Sequence, residues 1–259
     1  MSRLRARCPH CRTLTAVALG PAYECHACGR TFAAGLVRVP RAWGAGGEEM
    51  AAAAGLALPY PETAVIEEAS LPAQTAAVAD ELPERPLVLG GCCCAHVGAV
   101  EALAGQHGRL SVVWLDAHGD LNTPETSPSG NAWGMPLRML LEAGVVAPTD
   151  VALVGARALD PPERRFIAES GLHADGAAAV AGALEGCEAV YVALDGDVAD
   201  ATELAVFMPE PGGLSLAALA ELLERVASTA RVVGAGVSGL RADERNVAPV
   251  RSLLVALGL

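Results

Sequence analysis

The sequence contains no lysine: every basic residue of this 259-residue chain is one of 18 arginines. This usage indicates compositional bias rather than arginine selected for chemistry. Aromatic residues are scarce, at 3%, and no run approaches the roughly 18 apolar residues that a membrane span needs. The arginines at the start are followed by no apolar segment, which argues against a secretory signal peptide. We therefore expect a cytoplasmic protein with no membrane partner.

Negative charge dominates but is unevenly distributed along the chain. Residues 1–41 hold seven arginines and a single acid, Glu24, a charge of +6, whereas residues 42–259 hold 11 arginines and 29 acids, a charge of -18. An acidic body of this kind repels nucleic acid and favours cationic ligands or metal ions. The charge pattern therefore separates a basic head from an acidic body.

Four of the eight cysteines form two C-x-x-C pairs, Cys8 with Cys11 and Cys25 with Cys28. In a chain without a signal peptide, paired thiols indicate a metal site before disulfides. A C-x-x-C turn directs two thiolates at one tetrahedral ion, and two such turns complete a closed zinc site. Short strands are expected between the pairs, at residues 13–19 and 22–24. The pattern resembles a zinc ribbon with one structural zinc ion.

The predicted ribbon spans residues 1–38. Because four protein ligands leave no open coordination position, the site serves folding or docking rather than catalysis. A segment this short cannot bury a sufficient core, so the metal supplies most of its stability. Four thiolates on Zn²⁺ subtract about two charges and leave the head only mildly basic, and Tyr23 and Phe32 alone could stack on bases, which argues against nucleic-acid binding. Docking within the chain or on a partner protein is favoured, with residues 38–47 as the linker.

The rest of the chain alternates between apolar runs and helical patterns. The runs predict buried strands at residues 87–91, 111–116, 151–156, 189–195 and 231–237. The helical patterns lie near residues 98–107, 135–143, 162–170, 177–185, 215–228 and 244–257. Such alternation predicts an α/β fold in which helices cover both faces of a mainly parallel sheet. We expect residues 39–84 to form a linker and the start of this domain, and residues 85–259 to form its core.

Polar residues follow two of the predicted strands at alternating positions. They are Asp116, His118 and Asp120 at the end of one strand, and Asp195 and Asp197 at the end of another. Residues at i, i+2 and i+4 of an extended segment point to one side, and the sites of parallel sheets lie beyond the carboxyl ends of the strands. Four carboxylates gathered there would repel one another without a cation. The set favours Mn²⁺, with Zn²⁺, Fe²⁺, Co²⁺ or Ni²⁺ as alternatives, and is large enough for two ions.

Several motifs taken together resemble the arginase/agmatinase (ureohydrolase) family. They are L-G-G at 89–91, D-A-H-x-D at 116–120, N-T-P-E-T-S-P-S-G-N at 122–131, G-M-P-L at 134–137 and D-x-D at 195–197. The resemblance covers residues 85–259 and implies a three-layer αβα fold, a binuclear manganese site, a homo-oligomer and hydrolysis of a small guanidino compound. It also implies that Asp116 and Asp195 bridge the metals, while Asp120, His118 and Asp197 each bind one.

The resemblance further suggests a substrate-binding set. Its members are Asn122, Ser127, Ser129 and Asn131 of one loop, Trp133 just after it, and Asp160 and Glu163. The last two match acids of a G-x-R-x-x-D-P-x-E stretch, present here at residues 155–163. The alternative for the loop is a Ser/Pro-rich connector that satisfies its own backbone.

One departure from the family pattern affects the metal ligands. The family's G-G-D-H motif reads G-G-C-C-C-A-H at residues 90–96, so that Cys93 stands in place of the metal-binding histidine and His96 follows three positions later. Either residue could complete the coordination, and a thiolate would shift the preference towards softer ions such as Zn²⁺ or Fe²⁺. The alternative is that all three cysteines pack as small apolar residues.

Two further departures affect the reacting group. The family's N-x-H-G motif, whose histidine transfers a proton, has Trp133 at the histidine position, and an indole cannot shuttle protons. Where arginases use a late glutamate to bind the guanidinium, the matching stretch offers only Ser238 or Gly239. A neutral pocket there would bind a full positive charge less strongly.

These observations predict a metal-dependent hydrolase that cleaves a C–N bond of a guanidino or other linear amidine substrate. Two divalent ions can make water a nucleophile at neutral pH. With Trp133 in place of the histidine, protonation of the product falls to water, Asp120 or His96, and these two residues are the catalytic candidates. The alternative is a catalytically impaired relative that binds a ligand or a partner through the zinc ribbon.

Overall fold

The computed structural model describes residues 5–259, so residues 1–4 of the predicted ribbon lie outside the described residues. At the N-terminus, four short strands form an antiparallel sheet in chain order. They are β1 (Arg5–Ala6), β2 (Ala16–Leu19), β3 (Ala22–Cys25) and β4 (Thr31–Phe32). A small core of Ala6, Ala16 and Tyr23 packs with the cysteines. The strands predicted at 13–19 and 22–24 correspond to β2 and β3.

The other strands form one parallel sheet. They are β5 (Gly35–Val39), β6 (Glu62–Val65), β7 (Pro86–Gly90), β8 (Ser111–Leu115), β9 (Val151–Val154), β10 (His173–Ala174), β11 (Ala189–Asp195) and β12 (Arg231–Ser238). Their order across the sheet is β10-β9-β8-β11-β12-β7-β5-β6. The five predicted buried strands are confirmed as β7, β8, β9, β11 and β12. Because β8 and β11 are direct neighbours, with Leu115 opposite Leu194, the segments that follow them emerge side by side.

Helices cover both faces of this sheet. They are α1 (Glu48–Ala53), α2 (Leu71–Glu81), α3 (Ala95–His107), α4 (Pro136–Glu142), α5 (Pro161–Ser170), α6 (Gly176–Leu184), α7 (Leu216–Thr229) and α8 (Val247–Ala256). On one face Val112 of β8 belongs to the same buried core as Leu103 of α3. On the other, Val113 shares a core with Leu223 of α7 and Leu253 of α8. The expected three-layer αβα architecture is confirmed. Among residues 5–259, no helix has the length and apolar composition to cross a bilayer.

The boundary predicted at residue 38 falls inside a strand of the main sheet. Strand β5 pairs with β7 along its whole length, from Gly35 opposite Pro86 to Val39 opposite Gly90. The α/β body therefore begins ahead of the predicted linker, and the segment up to residue 85 contributes two strands and two helices. Sequence reasoning missed the two strands because each is short and β5 pairs with β7, which is distant in the chain. The residues from Pro40 to Gly47 do form an irregular connection.

The ribbon docks on the edge of the main sheet. Arg7 and Glu62 of β6 exchange backbone hydrogen bonds, with N–O distances of 2.9 and 3.0 Å, in an antiparallel bridge. Gly35 lies so close to the Tyr23 and Thr63 side chains that a Cβ there would meet both within 3 Å. Since β6 has no other strand on that side among residues 5–259, the ribbon covers an otherwise exposed edge. The docking expected within the chain is therefore observed.

Candidate metal centre

The four ribbon cysteines converge on one point. Their sulfur atoms lie within 4.8 Å of one another, with 3.8 Å between Cys8 and Cys28 and 3.5 Å between Cys11 and Cys25. All four are free thiols. Their spacing and number suit a tetrahedral ion closed on all sides.

A second set of ligands gathers beyond the carboxyl ends of β8 and β11. One group joins Cys93, Asp116 and Asp195, and another joins Asp116, His118 and Asp197, each with its ligand atoms within 4.8 Å of one another. Asp116 belongs to both groups. Two overlapping groups with a shared carboxylate are the arrangement that a pair of ions requires.

Backbone amides hold the carboxylates in place. The Asp197 amide donates to Asp195 Oδ1 at 3.0 Å, and the Ala117 amide donates to Asp197 Oδ1 at 2.9 Å. The His118 ring lies between two acids, with Nδ1 3.0 Å from Asp197 Oδ2 and 3.5 Å from Asp116 Oδ1. The loops after the two strands are therefore bonded to each other, and these backbone contacts position the ligand atoms.

Electrostatics at these side chains favour a cation. Burial and the neighbouring Asp197 carboxylate raise the pKa of Asp195 to about 7, and burial beside Asp116 raises the pKa of Asp197 to about 6. Burial alone would lower the pKa of His118, but contact with Asp116 and Asp197 raises it to about 12. Burial also raises the pKa of Asp116 and Asp120. Carboxylates that resist ionisation together are stabilised by a positive ion between them.

Asp120 supplies an independent sign of a missing partner. Its Oδ2 is buried and has no hydrogen-bond partner among residues 5–259, and its backbone is left-handed, with φ of +53°. Buried polar atoms are nearly always bonded. The residues present thus fit a divalent ion for three reasons. Their donor atoms suit such an ion, their carboxylates repel one another without it, and Asp120 Oδ2 has no other partner in the described part of the chain.

The structure places Cys93 next to the carboxylates and His96 behind them. The Cys93 sulfur lies 3.1 Å from Asp195 Oδ2 and 3.6 Å from Asp116 Oδ2. His96 lies behind this group, fully buried, with Nδ1 3.0 Å from the Tyr191 hydroxyl and Nε2 3.1 Å from Ser238 Oγ. Burial lowers the pKa of His96 to about 3, so its ring is neutral. His96 thus reaches the carboxylates only through Ser238.

All seven predicted substrate residues line one cavity above the carboxylates. The cavity has a volume of about 410 Å³. Those residues are Asn122, Ser127, Ser129, Asn131, Trp133, Asp160 and Glu163, and the cavity also exposes Asp116, His118, Asp120, Asp195, Asp197 and Cys93. A cavity of this size accommodates a small molecule rather than a polymer.

Several of these side chains also support the fold. Asn122 donates from Nδ2 to Asp160 Oδ2 at 2.9 Å. Glu163 accepts from the Leu121 and Asp160 amides at 3.0 and 2.8 Å, and with Asp160 it caps α5. Asn131 accepts from the Ala45 amide at 3.0 Å. The loop therefore satisfies part of its own backbone, as the alternative expected, while still facing the cavity.

Trp133 forms an apolar wall of the cavity. It is 8% exposed and belongs to a cluster with Met50, Cys92 and Cys94, and its ring lies edge-on to Phe207, with centroids 6.1 Å apart. A histidine at this position would have presented a titratable group to the same space. Trp133 presents none.

Sequence reasoning missed Glu210. Its Oε1 lies 3.6 Å from Nε2 of His118, on a loop that Arg157 fixes by donating to the Glu210, Pro211 and Asp197 carbonyl oxygens at 2.7 to 3.0 Å. The surrounding proline- and glycine-rich segment follows no strand and carries no motif. No signal in the sequence would have placed it beside the metal ligands.

Replacing Gly239 with alanine is expected to destabilise the protein and distort the metal centre. Gly239 has φ of +70°, and a Cβ there would overlap both carboxylate oxygens of Asp195. A left-handed alanine alone costs about 1–2 kcal/mol. The matched control is Gly144→Ala, where φ is +67° and nothing lies within 4 Å. Denaturant unfolding should show a larger loss for Gly239→Ala, and equal losses would contradict the proposed overlap.

Comparison with known proteins agrees with this geometry. A sequence model described as Arginase family matches residues 48–243. The chain is similar to arginase from Staphylococcus aureus (strain COL), at 49% identity over 92 residues, and to arginase from Bacillus subtilis (strain 168), at 37% identity over 155 residues. These alignments cover 32% and 50% of this chain, and 30% and 52% of those relatives. The chain thus aligns with about 30% of the length of one relative and about half of the other.

The structural likeness extends further than the sequence alignment. The crystal structure of arginase from Bacillus subtilis subsp. subtilis str. 168 matches with a TM-score of 0.72 and 24% identity. The match covers 86% of this chain and 96% of that chain. It shows that the two chains share their fold.

Proposed function

The chain belongs to the arginase family, and from this premise we propose that it is a binuclear-metal hydrolase of a C–N bond in a small guanidino or linear amidine compound. The observation that carries the proposal is the pair of overlapping ligand groups that share Asp116 at the floor of a substrate-sized cavity. Such an arrangement has little use in a protein that only binds a partner.

One ion would be held by Cys93, Asp116, Asp120 and Asp195, and the other by Asp116, His118, Asp195 and Asp197. Divalent ions in these positions supply a nucleophile at neutral pH and polarise the bond to be cleaved. Mn²⁺ is favoured by the family resemblance, with Zn²⁺, Fe²⁺, Co²⁺ and Ni²⁺ as alternatives. The ribbon would hold a separate structural Zn²⁺ through Cys8, Cys11, Cys25 and Cys28.

The cavity residues would bind and orient a small cationic substrate. The Ser127 and Ser129 hydroxyls and the Asn131 amide line the wall, and Asp160 adds negative charge. Neither Ser238 nor Gly239 supplies the late acid of arginases, but the Glu210 carboxylate lies beside His118. We propose that Glu210 and Asp160 attract the substrate cation.

Proton transfer would fall to Asp120. It faces the cavity and carries an unpaired buried oxygen, whereas His96 is sealed behind Ser238 and Trp133 cannot exchange protons. Asp120 is thus the one of the two catalytic candidates that can receive a proton from bound reactants. By family resemblance we also propose a homo-oligomer.

The altered reacting-group positions keep one alternative open. The apolar packing of Trp133 against Phe207 and Met50 leaves no titratable group where the family has its histidine. A catalytically impaired relative, binding a ligand or a partner through the ribbon, would have this feature too.

Metal content and turnover test the proposal together. We expect elemental analysis of protein grown with Mn²⁺ and Zn²⁺ to find one zinc in the ribbon and two ions in the body. A panel of guanidino and amidine compounds should then reveal release of urea or the corresponding product, and the Asp116→Ala, Asp195→Ala double variant should abolish it. Full activity in that double variant, or a body that binds no metal, would refute the proposal and favour the alternative.

A further inference from the structure

We infer that Cys93 is a thiolate ligand of one metal position, and that this position selects a thiophilic ion such as Zn²⁺ over Mn²⁺. The inference rests on the proposed two-metal centre and deepens it, because it makes the two positions chemically unlike. One would have a sulfur and oxygen donor set, and the other an imidazole and oxygen donor set.

The first support is the direction of the Cys93 side chain. Its sulfur lies 3.1 Å from Asp195 Oδ2 and 3.6 Å from Asp116 Oδ2, and it also lines the substrate cavity. The three ligand atoms are all buried and lie within 4.8 Å of one another. A thiol is a poor hydrogen-bond donor, so two carboxylates around one sulfur are better explained by a shared ion.

The neighbouring cysteines serve as an internal comparison. The Cys92 sulfur lies 3.8 Å from the Arg41 carbonyl oxygen, and the Cys94 sulfur lies 3.4 Å from that of Ala132. Both belong to the apolar cluster with Met50 and Trp133. Of the three consecutive cysteines, Cys93 is the one grouped with the carboxylates, while the other two pack as small apolar residues.

His96 is held away from the carboxylates by its surroundings. Its ring stacks edge-on against Trp114, with centroids 5.5 Å apart, and a Cβ on Gly236 would collide with it. Both ring nitrogens are already paired, with Tyr191 and Ser238. Bringing His96 to the ion would empty a packed pocket and break both contacts. The residue that replaces the family's histidine as a ligand is therefore Cys93 itself.

Ser238 connects His96 to the thiolate position. Its hydroxyl lies 3.1 Å from the Cys93 sulfur and 3.3 Å from Asp195 Oδ2. If Tyr191 donates to His96 Nδ1, then Nε2–H donates to Ser238, whose own proton is free for Cys93 or Asp195. Groups that orient ligands in this way raise metal affinity. His96 and Ser238 are thus positioning residues behind the ligands.

Cobalt spectroscopy tests the inference directly. Full-length protein with zinc retained in the ribbon is titrated with Co²⁺, and the body should develop a near-ultraviolet sulfur-to-cobalt charge-transfer band. Cys93→Ser should remove the band, whereas Cys94→Ser and the distant Cys187→Ser should keep it. Zinc content reports the integrity of the ribbon in each protein.

Cobalt that binds in the body without the band, or a band that persists in Cys93→Ser, overturns the inference and leaves the two-metal centre standing. A body that binds no cobalt overturns both.

A second variant and a measurement on the unaltered protein guard against misfolding of Cys93→Ser. Cys93→His should change the ratio of the Zn²⁺ and Mn²⁺ affinities in favour of Mn²⁺ by at least roughly tenfold. A change of that size is what mutating even a residue that bonds to a metal ligand produces. In the wild-type protein loaded with cadmium, NMR should show one body resonance shifted by sulfur ligation and one typical of oxygen and nitrogen donors. Two body resonances typical of oxygen and nitrogen donors would overturn the inference. An unchanged preference between Zn²⁺ and Mn²⁺ in Cys93→His would overturn it too.

Discussion

The substitution Asp195→Asn is expected to abolish hydrolysis. In protein whose body holds no metal, the same substitution is expected to stabilise the fold above pH 7. Asp195 belongs to the ligand group of Cys93 and Asp116, and it also accepts a hydrogen bond from the Asp197 amide. Its loss should lower kcat/KM by at least the roughly 100–1,000-fold that a single lost electrostatic contact costs a hydrolase.

The stabilisation follows from the direction of the pKa shift. The pKa of Asp195 is about 7 in the folded chain, against 3.8 for a free aspartate side chain, chiefly because the carboxyl is buried. The folded state therefore holds this proton more tightly than the unfolded state, and stability falls as the pH rises from about 4 to about 7. Above that range the ionised group costs up to about 4 kcal/mol, which an uncharged amide avoids.

Thermal unfolding at pH 5 and pH 8 checks this expectation, on protein with zinc in the ribbon alone. The wild type should lose more stability between the two pH values than Asp195→Asn does. The control is Asp200→Asn, because Asp200 follows the same strand but its carboxylate accepts from the Thr202 amide and hydroxyl in an exposed turn. Parallel losses in all three proteins, or hydrolysis retained in Asp195→Asn, would contradict the expectation.

The substitution Cys8→Ser is expected to release the ribbon zinc and unfold the N-terminal sheet. The apolar core of the ribbon consists of a few small residues and Tyr23, whereas a structural zinc ion contributes about 10–16 kcal/mol in small domains. Loss of the ribbon should uncover β6, whose free edge then becomes a template for pairing with other chains.

Zinc content, limited proteolysis and light scattering test this expectation. Cys8→Ser should lose one zinc, become cleaved within the ribbon and aggregate, while Cys187→Ser, which removes a buried thiol far from both sites, should match the wild type. Hydrolysis by the freshly prepared Cys8→Ser protein should persist, because no ribbon residue lines the cavity among those described. A variant that keeps its zinc and its protease resistance would contradict the assignment of Cys8 as a ligand.

The strands around the site were predictable because their signals are local. Runs such as AVYVALD are buried throughout and are typical of the centre of a parallel sheet, and the alternation of Asp116, His118 and Asp120 marks where one strand ends. The sequence also placed both carboxylate clusters at one edge, since the carboxyl ends of parallel strands coincide. The order of strands that makes β8 and β11 neighbours required the structure.

Features that depend on distant contacts were not predictable. Strand β5 is a five-residue run whose place in the sheet depends on pairing with β7. Helix α2 did carry a signal, since Ser70 caps it and a proline lies in its first turn. The choice between Cys93 and His96 was undecidable in sequence because it depends on how the turn after Gly91 directs each side chain. The position of Glu210 was not predictable either, because it depends on hydrogen bonds from Arg157, which is distant in the chain.

The buried Oδ2 of Asp120, unpaired among residues 5–259, ties the lifetime of the protein in a cell to metal supply. A buried polar atom without a partner costs about 1–3 kcal/mol, and an ion bound to this oxygen would remove that cost. Molecules loaded with metal therefore open less often than empty ones, and proteases act on the open form. We expect the degradation half-life to shorten when cultures are depleted of metal and to respond less in Asp120→Gly. The abundance of this protein would then report whether its site can be filled.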